Sequence, residues 1–156
     1  MVGDTIVAYR PDAIGDTIDR GDVVVFDGRG SFLPRTGVPF AGTLGTWLGI
    51  GSRDVFFVKR VIALGGDTIQ CCDGQHRLVR NGQPLAEPYL TEAASRVEFS
   101  LVVPPGRFFA LGDNRDNSTD SRALLGSPGG GMIPRETIIG TVIGHGSSVD
   151  NVLGVN

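Results

Sequence analysis

Val55-Phe56-Phe57-Val58-Lys59-Arg60-Val61-Ile62-Ala63-Leu64 is the strongest strand-forming stretch of the chain, and Gly65-Gly66 ends it. β-Branched and aromatic residues dominate it, and no glycine or proline interrupts it. Alternation puts Val55, Phe57, Lys59 and Val61 on one face and Phe56, Val58, Arg60 and Ile62 on the other. Both faces are apolar except at the adjacent Lys59-Arg60. Lys59 then has two readings. Buried among its neighbours, it would lose hydration of its charged form, drop in pKa and be able to act as a base. Alternatively, its stem lies on the sheet and its amine reaches water.

Outward from this strand, Gly-Asp pairs punctuate the chain at Gly3-Asp4, Gly15-Asp16, Gly21-Asp22, Gly66-Asp67 and Gly112-Asp113. Glycine supplies the turn and aspartate bonds back to nearby amides. Strand-like runs follow at Thr5–Tyr9, Val23–Phe26 and Thr68–Cys71. Arg77 to Leu85 reads as a hairpin with Asn81-Gly82 at its turn. Val97 to Val103 alternates until Pro104-Pro105-Gly106 stops it, Arg107 to Leu111 is a further strand, and Thr137 to Gly144 is the last. Glu87 to Ser95 reads as loop, and Ser127-Pro128-Gly129-Gly130-Gly131 as a flexible break. Strands without clear helices predict an all-β fold of antiparallel sheets with long loops.

The 156 residues suit a single domain. Glycine, at 24 residues, is about twice its average usage, and nine prolines accompany it, which disfavours long helices. The net charge of −3, without a basic block, makes nucleic acid a poor partner. No apolar run reaches the roughly 18 residues of a spanning helix, and the start at Met1 lacks the pattern of a signal peptide. Thr36 to Ser52 carries no charge, and the surrounding Asp27–Ser52 loop holds Phe32, Leu33, Phe40, Leu44, Trp47, Leu48 and Ile50. It is either a flap over the core or a contact for a membrane surface or partner. Cys71 and Cys72 are adjacent; neighbouring cysteines rarely bridge, so two unpaired thiols are expected.

Leu111-Gly112-Asp113-Asn114-Arg115-Asp116-Asn117-Ser118-Thr119-Asp120-Ser121-Arg122 concentrates three aspartates, two arginines and two serines after an apolar run. Such clusters are commonly solvated loops. Here, charges of alternating sign suggest a self-paired network that could orient the hydroxyls between them. His76 and His145 give weak support to a Ser/His/Asp triad, and no cluster of metal ligands or cofactor motif is present. A Lys-based hydrolase remains: a strand lysine made neutral by burial, activating a serine.

Gly112-Asp113-Asn114-Arg115-Asp116-Asn117-Ser118-x-Asp120-Ser121-Arg122 resembles the signature box of bacterial type I signal peptidases, unbroken. Val58 to Asp67 resembles that family's lysine box, and Arg20-Gly21-Asp22-Val23-Val24-Val25-Phe26 the box before it. The three occur in family order. The resemblance implies an all-β Ser/Lys endopeptidase that removes signal peptides from exported preproteins at the outer face of the cytoplasmic membrane. It makes Lys59 the general base, oriented by Ser118, with Asp113 paired to Arg60 and Asp120 to Arg122. It also implies that substrate adds as a strand beside Phe56-Phe57-Val58, with small apolar pockets choosing small residues near the cut.

The resemblance also locates a departure. In the family, the nucleophilic serine lies in a Ser-Met or Ser-x-Met segment just before a Gly-Asp pair, which Gly3-Asp4 matches. The chain is therefore expected to be a catalytic domain over residues 1–156 that lacks the nucleophile and the membrane anchor. As written it should be soluble and inactive, with no nucleophile, metal or cofactor of its own. The alternative is a non-catalytic homologue that binds exported peptides or a membrane partner. A self-cleaving repressor protease is disfavoured, since no DNA-binding segment is present.

Overall fold

The computed structural model describes residues 5–9, 18–33 and 56–146. Ten strands form in chain order: β1 (Thr5–Tyr9), β2 (Val23–Asp27), β3 (Phe56–Leu64), β4 (Thr68–Cys71), β5 (Leu78–Arg80), β6 (Gln83–Pro84), β7 (Phe99–Val102), β8 (Arg107–Leu111), β9 (Ile133–Pro134) and β10 (Ile138–Gly146). A six-stranded sheet runs β1-β10-β2-β3-β8-β9, and a four-stranded sheet runs β6-β5-β4-β7. Every pairing is antiparallel. Short 3-10 turns cover Ser121–Leu124 and Arg135–Thr137. The fold is all-β, as the run of glycine-punctuated strands predicts.

The long strand is central, but only in part. Along β8, Phe108 and Ala110 enter one core with Val24, Phe26, Val61 and Ile138, while Phe109 and Leu111 enter a second with Ile69, Leu78 and Val103. β8 is thus buried on both faces. β3 alternates in the same way through Ile62, and then the register slips between Val61 and Ala63. Ile62 and Ala63 both join the second core. A bulge of this kind frees one residue from the ladder, and the Ile62 carbonyl instead accepts a 2.6 Å bond from Arg80 Nη1 of the smaller sheet. The two apolar faces do not both stay in the core towards the strand's start, where Phe56 and Val58 are exposed.

Two of the described Gly-Asp pairs behave as read, while Asp113 of the third accepts from the Arg60 guanidinium instead of a nearby amide. Asp22 Oδ2 accepts from Asp19 N at 2.8 Å, and Asp67 Oδ2 from Leu64 N at 2.8 Å. Asp67 is buried and also takes Nε and Nη2 of Arg20, each at 2.7 Å. That ion pair, first, holds its carboxyl well below the usual carboxylate range, with help from the Asn81 amide. The two boxes before the signature stretch are thereby fastened together. At the hairpin, Asn81 and Gly82 both have positive φ, the signature of a type I′ turn.

Three expectations need correction. Cys71 and Cys72 are joined by a disulfide rather than left as thiols, and Cys71 packs against the second core. The stretch Ser127–Gly131 is a packed turn, not a loose break: Gly130 N donates to Ser127 O at 2.8 Å, and a Cβ on Gly131 would overlap the Ser121 carbonyl. The strand expected over Val97–Val103 is confined to Phe99–Val102. For Asp27–Ser52, Phe32 packs edge-on to Phe26 and Phe57 with centroids 5.3 and 4.9 Å apart. Its first residues therefore lie on the core as a flap, while residues 34–52 fall outside the described residues, as do Gly3-Asp4, Gly15-Asp16 and Val55.

Candidate active site

β8 ends at Leu111 while β3 continues past it. Phe56 to Arg60 pair with Asp27 to Val23 of β2, but β8 reaches β3 only from Arg60 onward. Among the described residues no strand pairs with the other edge of Phe56–Lys59. At that opening the chain turns away through Gly112 into the loop that ends at Arg122, and the loop returns over Lys59.

Lys59 Nζ donates to Ser118 Oγ at 2.8 Å, half-buried. Burial, the largest influence, pushes the amine below the ordinary lysine range; nearby Asp120 opposes this and Arg122 adds to it. Of the two readings of Lys59, the half-buried amine favours the desolvated one. Lys59 is also the only lysine in the chain, although thirteen arginines accompany it.

Gly112 is what lets Ser118 come so close. A Cβ at residue 112 would overlap both Cβ and Oγ of Ser118 and lie 3.6 Å from Lys59 Nζ. The Gly112 peptide groups are held from both sides. Its N–H donates to Asp120 Oδ2 at 3.1 Å, and its carbonyl accepts from Arg115 Nε at 3.0 Å.

Four ion pairs fix the loop, and only one lies within it. Arg122 meets Asp120 through Nε at 2.9 Å and Nη2 at 2.7 Å, with Asp120 fully buried, and Arg122 Nη2 also reaches the Arg115 carbonyl. The other three reach outward. Arg60 pairs with Asp113 at 2.8 and 2.6 Å, Arg96 with Asp116 at 2.9 and 2.7 Å, and buried Arg115 with buried Glu87. The alternating charges are therefore mostly clamps to other segments, which corrects the self-paired expectation. Ser121 is fully buried and accepts from Ala110 N at 3.1 Å, so its hydroxyl is committed to the backbone of β8.

Phe56, Phe57 and Val58 lie where the strand loses its second neighbour. Phe57 stacks on Phe26, centroids 5.8 Å apart, while Phe56 and Val58 project on the opposite, exposed face. Sequence reasoning missed Glu87, Tyr89 and Arg96, which belong to a stretch with no periodicity, and the anchoring part of Arg115. Tyr89 lies under Arg60, whose guanidinium carbon is 4.1 Å from the ring centroid. No motif marks these residues, because each reaches its clamp partner across 20 or more positions.

The match of a family model to residues 1–144 decides the family: its description is signal peptidase, peptidase S26. The chain belongs to that family. Signal peptidase I of Mycobacterium tuberculosis (strain H37Rv) is 34% identical over 164 residues, covering 89% of this chain and 55% of that protein. Signal peptidase I of Bacillus licheniformis is 32% identical over 149 residues, covering 89% of this chain and 64% of that protein. The chain thus spans between about half and two thirds of the length of these relatives. A crystal structure of a signal peptidase I from Enterococcus faecalis superposes with a TM-score of 0.55 at 26% identity, covering 81% of this chain and 97% of that one. Both the all-β architecture and the resemblance of the three boxes agree with membership of the signal peptidase family.

Proposed function

We propose that this chain is the catalytic body of a Ser/Lys endopeptidase that removes signal peptides from exported preproteins at the outer face of the cytoplasmic membrane. The observation that carries the reading is the Lys59 amine, half-buried, depressed in pKa and held 2.8 Å from Ser118 Oγ beside the open edge of Phe56–Lys59. A neutral amine can take the proton of an attacking serine, which a protonated lysine cannot do. Ser118 aims the amine, and Asp113–Arg60 with Asp120–Arg122 hold the loop that carries it.

The attacking hydroxyl belongs to a serine other than Ser118 and Ser121, on a segment that joins the chain ahead of Gly3-Asp4. In the acylation step its oxygen bonds to the scissile carbonyl carbon as its proton passes to Lys59 Nζ. The carbon–nitrogen bond then breaks, and Lys59 returns that proton to the leaving amine. Water deacylates by the same route, again deprotonated by Lys59. Substrate adds as a strand beside Phe56-Phe57-Val58, where main-chain bonds supply affinity and apolar pockets select small side chains. The apolar composition of the Asp27–Ser52 loop supports a contact with the membrane surface.

The test is cleavage of a signal-peptide substrate by the chain alone and by the chain extended upstream with its own coding sequence. Cleavage is expected only with the extension, and Lys59→Ala should reduce it by roughly 10²- to 10⁴-fold, as expected for loss of a general base. Undiminished cleavage in the Lys59→Ala variant would sink the mechanism. Peptide binding without cleavage by the extended chain would favour a non-catalytic binding protein.

A further inference from the structure

We propose that Glu87 and Tyr89 are positioning residues for the Lys59–Ser118 pair, acting through Arg115 and Arg60 from a segment outside all three motif stretches. The inference rests on the proposed role of Lys59 as base. One carboxylate does two jobs: Glu87 Oε1 accepts from the Tyr89 hydroxyl at 2.6 Å and from Arg115 Nη2, while Oε2 accepts from Arg115 Nη1 at 3.3 Å. The Glu87 and Arg115 side chains are 6% and 1% exposed, so neither charge has water to fall back on.

From Glu87 two arms reach the site. Along the first, Arg115 bonds the Gly112 carbonyl at 3.0 Å and the Ala94 carbonyl at 2.8 Å. Gly112 is the surface on which Ser118 rests, so fixing its carbonyl fixes the floor beneath the lysine's partner. Along the second arm, the Tyr89 ring supports the Arg60 guanidinium by a cation–π contact. Arg60 spends its hydrogen bonds on Asp113, next to Gly112, and on the Gly21 carbonyl at 2.8 Å. Glu87 thus braces Gly112 from the carbonyl side and, through Arg60, from its neighbour Asp113. Loosening either arm lets Gly112 and Ser118 move, and water reaches the amine.

Lys59, the only lysine, gives a single side-chain resonance when lysine is carbon-labelled, so its titration can be followed by NMR in the 156-residue chain without any cleavage assay. In Glu87→Gln and Tyr89→Leu the Lys59 pKa should rise by about one unit or more, as burial of the amine is relieved. Tyr89→Phe, which keeps the ring over Arg60, should stay closer to wild type than Tyr89→Leu. The sign is diagnostic. If Glu87 acted only through its charge, removing that charge would lower the lysine pKa. Ile138→Val, a core truncation away from both arms, should lower the melting temperature and leave Lys59 unchanged.

Unchanged or lowered Lys59 pKa values in folded Glu87→Gln and Tyr89→Leu, with or without a fall in melting temperature, would overturn the proposal. Should Tyr89→Leu fail to fold, Glu87→Gln decides by the same readout. An ordinary pKa for Lys59 in the wild-type chain is a separate outcome, which would overturn its assignment as base.

Discussion

The two halves of β3 share a composition and differ in everything else. Val61 to Leu64 run beside β8 and have core on both faces; Val61, Ile62 and Ala63 are almost wholly inaccessible. Phe56 to Arg60 are as apolar apart from the two cations, yet Phe56 is 55% and Val58 38% exposed. The difference comes from the neighbour, because β8 stops at Leu111. Where it stops, the freed backbone edge, the exposed apolar side chains and the lysine fall together, and the Gly112–Arg122 loop closes over the amine. A strand that serves as core at one end can serve as a docking edge at the other without any change in its residue types. β-Propensity measures fit to a pleated, half-buried surface, so it cannot tell these halves apart.

The strongest way to break the contrast is to release the loop at the point where β8 ends. Asp120 is fully buried, accepts from Gly112 N, and pairs with an Arg122 side chain that is 8% exposed. Asp120→Ala leaves a buried guanidinium without its carboxylate, at an expected cost of about 3–5 kcal/mol. Chemical denaturation measures this directly. A loss under about 1 kcal/mol would mean that water or another acceptor replaces the carboxylate, and that the loop's hold on the end of β8 lies elsewhere.

The halves can also be compared by matched truncations. Ile62→Ala removes a 2%-exposed side chain from the second core and should cost about 2–5 kcal/mol. Val58→Ala removes an exposed one and should change stability by no more than about 0.5 kcal/mol. If the open edge receives substrate, Val58→Ala should instead raise KM in the extended chain. Equal stability losses would show that Val58 is covered in solution, and a docking edge would no longer describe that half.

How much of this was legible depended on the range of the interaction. The hairpin at Asn81-Gly82, the Gly66-Asp67 turn and the strands flanking them were readable, because their determinants lie within a few residues. The bulge at Ile62 was not, since Val61-Ile62-Ala63-Leu64 contains no glycine or proline to mark it, and the group that meets its freed carbonyl, the Arg80 guanidinium, lies 18 positions away. The signature loop was legible as a charged cluster, but its partners were not: Asp116 finds Arg96, and Arg115 finds Glu87 across 28 positions of unpatterned loop. Adjacent cysteines argued against the disulfide that the structure contains. Local turn chemistry leaves a mark in the sequence, whereas clamps between loops are set by where two surfaces meet.

The smallest effect comes from the lysine itself, and its sign follows from linkage. Folding lowers the Lys59 pKa from an unfolded value near 10.4. Between the depressed folded value and about 10.4, the unfolded chain binds more protons than the folded one, so this group makes stability rise with pH. Below that window both states are charged, and the folded chain carries the full desolvation cost; above it both are neutral and the cost is gone. Lys59→Met keeps the length of the side chain and removes the titration. The variant should therefore exceed wild type in stability at neutral pH, by an amount that shrinks as pH approaches about 10. Melting curves of the two proteins at several pH values test this; the tyrosines and the amino terminus are common to both proteins, so the difference between the curves isolates Lys59, the chain's only lysine. A constant difference across that range would mean that the amine is as hydrated as a surface lysine, and the open half of β3 would then be an edge without a base.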